Sequence, residues 1–146
     1  MKADRFRGGG ETLGQLVALS RAEGWNFVAK LVAELEQGDF TKTRTALFGV
    51  YDRVCDGTLA GVCGLVPDPY LEPDLHVGRL RHLYVLPGYR CRGVATTLVQ
   101  AVIDEARRHY RVLRLRTPNP DAARLYETLG FAAVTEPTAT HALELS

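Results

Sequence analysis

A single α/β domain with a mixed sheet of about seven strands and helices on both faces is predicted by three observations. The segment Leu83–Ala106 followed by Val112–Arg116 reads strand, glycine-containing loop, helix, strand. Such a unit makes its two strands parallel and its crossover right-handed. The segments 44–54 (RTALFGVYDRV) and 58–66 (TLAGVCGLV) alternate, are β-rich and flank Asp56-Gly57, a hairpin signature that adds antiparallel strands to the same sheet. The chain has 146 residues and 46% hydrophobic content, enough for one domain with a sizeable core.

In chain order, residues 1–7 are expected to form a short first strand, ended by Gly8-Gly9-Gly10. That triple glycine lacks a following Lys-Ser/Thr and reads as a connector, not a phosphate loop. Residues 11–36 read as helix, interrupted near Gly24. Thr12 is expected to cap the first segment, and Leu13, Leu16, Val17 and Leu19 form its apolar stripe. Trp25, Phe27, Val28, Leu31, Val32 and Leu35 mark the second, ended by Gly38-Asp39. After the hairpin, Pro67–Pro73 is a proline-rich loop. Residues 77–86 form the central strand. Residues 120–129 form a helix with Pro120 at its start and Gly130 as its C-cap. Residues 131–134 and 141–145 close the sheet as two antiparallel strands.

The chemistry concentrates after the central strand. Leu83-Tyr84-Val85 ends in Pro87-Gly88, and Arg90-Cys91-Arg92-Gly93-Val94-Ala95-Thr96 leads into a helix starting at about Val94. Its apolar positions Val94, Leu98, Val102 and Ala106 recur every four residues. No acid stands in its first turns. Free amides at a helix N-terminus, a glycine allowing close approach and two arginines together make a phosphate cradle. The plain alternative is an ordinary strand-to-helix connection with two solvated arginines.

The pattern Leu-x-Val-x-Pro-x-x-Arg-x-x-Gly-x-Ala, with Arg90, Gly93 and Ala95 in the last three positions, resembles the coenzyme A pyrophosphate loop of the GNAT acetyltransferase superfamily. Downstream, Asn119 and Ala122-Ala123-Arg124-Leu125-Tyr126-Glu127-Thr128-Leu129-Gly130-Phe131 resemble the superfamily's second motif, in the right order and spacing. The resemblance covers the second half of the chain closely and the first half in element order. It implies a GNAT-type fold and acetyl-coenzyme A as cosubstrate. It also implies direct transfer of the acetyl group to a primary amine on a small molecule or peptide. Arg90 to Thr96 would hold the diphosphate, and Leu83, Tyr84 and Val85 would offer a strand edge to the pantetheine arm. The Val85 amide would polarise the thioester carbonyl, an effect worth about 3 kcal/mol. Asn119 would contact the arm, or alternatively cap its helix. Tyr126 would act as general acid toward the departing thiolate, since phenol and thiol pKa values of ~10 and ~8.5 are close. A non-catalytic acyl-coenzyme A sensor on the same fold is the alternative.

The acceptor side is less defined. Trp25 and Phe27 line the acceptor pocket by resemblance, although aromatics at helical spacing are more often core. Many relatives carry Glu or Asp just before the Leu-x-Val segment, where this chain has Arg81 and His82. With Arg79, Arg81 puts two arginines on one strand face, which favours an acceptor bearing a carboxylate or phosphate over a polyamine. His82 is the candidate base, since histidine titrates near neutrality, but strand parity sets it opposite Arg81, Leu83 and Val85. Water relaying to Glu72 or Glu34 is the other route. Cys91 lies in a basic loop, where a nucleophilic role is conceivable, but its position predicts a backbone contact to phosphate instead.

Other classes are excluded. A net charge of +1 gives no global signal for nucleic acid or an anionic membrane. No apolar run approaches the ~20 residues of a membrane span. The polar first ten residues contain no signal segment, so a cytoplasmic location is expected. The odd count of 3 cysteines argues for free thiols, and the scattered histidines provide no metal-ligand spacing. The oligomeric state, a homodimer included, is open.

Overall fold

In the computed structural model, which describes residues 2–145, the expected elements appear in the expected order. The strands are β1 (Ala3–Arg5), β2 (Ala46–Asp52), β3 (Thr58–Pro67), β4 (Val77–Val85), β5 (Val112–Leu115), β6 (Ala132–Glu136) and β7 (Ala139–Glu144). The helices are α1 (Gly14–Ala22), α2 (Phe27–Glu36), α3 (Val94–Ala106) and α4 (Pro120–Thr128). The seven strands make one sheet in the order β1-β2-β3-β4-β5-β7-β6. Only β4 and β5 run parallel, because α3 returns the chain between them.

Alternation along the strands splits the core into two layers. Phe48, Leu65, Leu80, Leu98, Val102, Leu113 and Tyr126 pack on the face covered by α3 and α4. Leu13, Leu16, Val28, Leu31, Leu47, Val62 and Tyr84 pack on the face covered by α1 and α2. The apolar repeat read along α3 is its buried stripe: Val94, Leu98, Val102 and Ala106 are each at most 1% exposed.

Two local expectations are corrected. Thr12 does not cap α1. It lies in a 3-10 turn (Gly10–Leu13), and the residue preceding α1 makes no side-chain cap. The other correction concerns the parity of β4. Val62 pairs Tyr84 and Gly64 pairs Arg81, so His82 and Leu83 together face Cys63 across a β-bulge. His82 takes the left-handed φ of 62° at this point. The extra residue turns Arg81 and His82 to the same side of the sheet, toward α2. Counting by twos from Val85 fails across it.

The sheet opens at its centre. β4 pairs β5 only at Val77↔Val112, Gly78↔Leu113 and Arg79↔Arg114. Beyond those pairs β4 runs on for six residues with no partner on the β5 side, and the two strands part.

Candidate active site

The parting of β4 and β5 produces a cleft of about 1110 Å³. Its walls hold all but one of the residues that the sequence assigns to the cofactor, the acceptor or catalysis; the two relay carboxylates, Glu34 and Glu72, are outside the lining. From the α1–α2 turn and α2 come Trp25 and Phe27. From β4 come Arg79, Arg81, His82, Leu83, Tyr84 and Val85. From the loop and α3 come Arg90, Cys91, Gly93, Val94, Ala95 and Thr96, and from the α4 region Asn119 and Tyr126. Arg92 is the exception. Its guanidinium lies over the Tyr89 ring at 5.4 Å, outside the lining.

The mouth of the cleft is built at the start of α3. Gly93, with φ of 82°, turns the chain into the helix, and no acidic side chain stands in the first turn. The first intrahelical bond runs from the Thr97 amide to the Gly93 carbonyl at 3.0 Å. The amides of Val94, Ala95 and Thr96 therefore have no partner within the helix and point past its end. Unpartnered amides of this kind suit an anionic group.

Arg90 does not supply the expected free charge. Both of its terminal nitrogens donate to Glu23, each at 2.7 Å, and its Nε donates to the Val85 carbonyl at 3.0 Å. Tyr84 donates to the same carboxylate at 2.5 Å. Arg90 and Tyr84 hold the Glu23 carboxyl down at about 2, well below the ordinary carboxylate range. Burial, reinforced by Glu23, pushes the Tyr84 phenol up to about 12. Glu23 thus ties the end of α1 to the loop before α3. No spacing in the sequence points to it, because it follows a helix end and its partners lie 61 and 67 residues away.

Val85 is aimed into the gap. Leu86 donates its amide to Ala60 on β3 at 2.8 Å. Peptide groups alternate along a strand, so the Val85 N–H and C=O face the opposite side, where β5 has departed.

Deeper in, Tyr126 is 4% exposed and stacks edge-on against Phe131 at 5.5 Å. Burial raises its phenol well above the ordinary tyrosine value, so it stays protonated across the neutral range. Asn119 caps α4, accepting from the Asp121 amide at 2.9 Å, and lines the cleft as well. The capping role is the one present, and the same residue stands in the cleft wall.

On the α2 side, His82 and Arg81 converge on one carboxylate. His82 Nε2 lies 2.8 Å from Glu34 Oε2, a close approach whose angles fall short of a hydrogen bond. Arg81 Nη1 lies 3.4 Å from Glu34 Oε1. Burial alone would raise the Glu34 carboxyl, but His82, Arg81 and Lys30 together hold it below its ordinary value. The His82 side chain is 3% exposed, and both of its ring nitrogens are shut off from solvent.

The expected pair of free arginines is not there. Arg79 is buried, and Asp68 Oδ2 accepts from its Nη1 at 3.3 Å while the Thr138 carbonyl accepts from its Nη2 at 2.7 Å. Arg114 Nη1 reaches the same Asp68 oxygen at 3.2 Å. These two cations close the base of the V around one fully buried carboxylate. With Arg79 spent on Asp68 and Arg81 on Glu34, neither is a free cation for a substrate anion.

The cysteines are three free thiols, of which Cys63 is buried and Cys55 and Cys91 are exposed. Among the described residues no group of three or more His, Cys, Asp or Glu could hold a metal ion. Among the described residues no helix is long and apolar enough to cross a membrane.

A central parallel pair that splits beside a helix N-terminus is the arrangement expected of the acyl-group transferases that the sequence resembles. The chain belongs to the acetyltransferase (GNAT) family, whose model matches residues 16–131. A crystal structure from Exiguobacterium sp. 255-15, assigned as an acetyltransferase, is 26% identical with a TM-score of 0.86, covering 98% of this chain and 92% of that one. A GNAT-family acetyltransferase from Staphylococcus aureus Mu50 is 15% identical with a TM-score of 0.77, covering 99% of both chains. The ribosomal-protein-S18-alanine N-acetyltransferase from Escherichia coli is 22% identical with a TM-score of 0.69, covering 99% of this chain and 94% of the other. No curated protein sequence matches the chain.

Proposed function

We propose that the protein transfers an acetyl group from acetyl-coenzyme A directly to a primary amine, with Tyr126 as general acid. The observation that carries this reading is the parting of β4 from β5 after Arg79 and Arg114, with unpaired α3 amides at one end and the Tyr126 phenol inside. The cleft fits the cosubstrate, since an elongated anionic thioester needs amide donors at one end and an unpaired strand edge along its arm.

Acetyl-coenzyme A supplies an activated acetyl group as its thioester. The chain's residues do the rest. The amides of Val94, Ala95 and Thr96 bind the diphosphate. The Val85 N–H receives the thioester oxygen as negative charge builds on it. The carbon–nitrogen bond forms as the carbon–sulfur bond breaks. Tyr126 gives its proton to the departing sulfur; burial keeps that proton on the phenol at neutral pH, at the expense of acid strength.

The amine must lose its own proton. His82, which lines the cleft and is backed by Glu34, is the candidate base. Its nitrogens are closed to solvent, so the proton reaches it by movement at the bulge or across one water. Glu34, whose side chain keeps 17% exposure, is the receiving end of such a relay.

Tyr126→Phe tests the assignment. Its hydroxyl makes no hydrogen bond among the described residues, so the substitution leaves the fold intact. Turnover in a thiol-release assay should fall by about 10²- to 10⁴-fold with coenzyme A affinity nearly unchanged. Unchanged turnover removes Tyr126 from the mechanism. Absence of turnover in the wild type with any amine, alongside tight coenzyme A binding, favours an acyl-coenzyme A sensor.

A further inference from the structure

On its α1–α2 side the cleft is aromatic and cationic. Trp25 and Phe27 stand in its wall with ring centroids 6.1 Å apart, and Phe27 meets the Tyr84 ring at 6.0 Å. Five cationic side chains line the whole cleft, namely Lys30, Arg79, Arg81, Arg90 and Arg116, against one carboxylate, Asp121. Asp121 lies on α4, on the other wall, and pairs with Arg124. Three of the five cations are held by carboxylates: Arg79 by Asp68, Arg81 by Glu34 and Arg90 by Glu23. Arg116 is exposed at the end of β5, among the cofactor-side residues. That leaves Lys30, which makes no salt bridge among the described residues and acts on Glu34 only through space, as the cation of the α2 wall open to a ligand.

Its place on α2 is informative. Phe27, Lys30 and Glu34 are spaced i, i+3 and i+7, one stripe of the helix. At 1.5 Å rise per residue, Lys30 stands roughly 4.5 Å along the axis from Phe27 and about 6 Å from Glu34. A ring site, a cation and the proton-accepting pair therefore follow one another along a single helix face. Nothing on this wall offers an unspent carboxylate to a polycation, since Glu23 and Glu34 each already hold two partners.

We infer that the acceptor is a primary amine on an aromatic body that also bears a carboxylate. The ring packs against Trp25 and Phe27, the carboxylate pairs with Lys30, and the amine points toward His82. The inference rests on the acetyltransferase reading and names its substrate class. A free aromatic amino acid has this chemistry, and so does a peptide N-terminus with an aromatic residue beside an acidic one.

Trp25 is the chain's single tryptophan, so its emission reports occupancy of this side without any turnover. The coenzyme A-saturated protein is titrated with phenylalanine, phenethylamine, spermidine and an amidated peptide beginning Phe-Asp. Phenylalanine or the peptide should bind at least about tenfold more tightly than phenethylamine, and the stronger of the two identifies the source. Lys30→Glu should erase the preference for the anionic probe, and Lys30→Arg should keep it. Equal affinity for phenylalanine and phenethylamine, preference for spermidine, or no response to any probe overturns the inference. Thiol release with spermidine would overturn the acceptor class while leaving the transferase intact. Calorimetry detecting no coenzyme A binding would instead remove the transferase reading itself.

Discussion

Glu23 carries more of the site than any residue the motifs pick out. One carboxylate receives both terminal nitrogens of Arg90 and the hydroxyl of Tyr84, and so fastens the α1–α2 turn to the loop that should bind phosphate. Its depressed pKa makes the latch sensitive to acid. In the unfolded chain Glu23 titrates near 4.5 and in the folded one near 2, so the stabilisation is complete above about 4.5 and fades as pH falls toward 2. Wild type and Glu23→Gln, compared by urea denaturation at pH 6, 4 and 3, should differ most at pH 6 and converge as the pH drops. A gap that widens in acid would show that the latch contributes nothing. Tyr126 has the opposite sign. Its phenol is raised by burial, so its contribution holds below about pH 10 and is lost as pH rises beyond that.

At the scale of elements, the turn into α3 tests whether conformation or space matters. A Cβ on Gly93 would meet nothing within 4 Å, yet its φ of 82° lies where L residues are strained. Gly88 is equally open but has no positive φ. Gly93→Ala should cost about 1 kcal/mol of stability and weaken coenzyme A binding, whereas Gly88→Ala should do neither. Urea midpoints and calorimetry of the two variants check this. Such turns were legible in the sequence, because Gly93 marks the start of α3 and Gly130 follows the end of α4. The strand–helix–strand unit was legible for the same reason: the period of the apolar pattern changes from two to about four between Val85 and Val94. The bulge at His82 was not. It shows only in the pairing with β3, where His82 and Leu83 share Cys63, so the local alternation of β4 carried no mark of it, and the parity assigned to Arg81 came out reversed. The free charge expected at Arg79, Arg81 and Arg90 failed for a related reason. Motifs name cations, but Asp68, Glu34 and Glu23, which spend them, come from other elements.

At the scale of the molecule, the cleft belongs to no single layer. Its walls come from the α1–α2 turn, β4, the loop before α3, α3 itself, the end of β5 and α4. A ligand that spans them binds the assembled fold and not the unfolded chain, so its affinity adds to global stability. At 100 times its dissociation constant a one-site ligand stabilises by about 2.7 kcal/mol. For a chain of this size each kcal/mol raises the melting temperature by roughly 2–4 °C, so coenzyme A should shift it by about 5–10 °C. Pantetheine has the arm but lacks the diphosphate. If the α3 amides hold that group, pantetheine at the same concentration should shift melting far less than coenzyme A, and the difference should shrink in Gly93→Ala. High salt should narrow it further, because the lost interaction is electrostatic. Equal shifts from the two ligands would place all of the binding along the β4 edge and leave the helix N-terminus without a role.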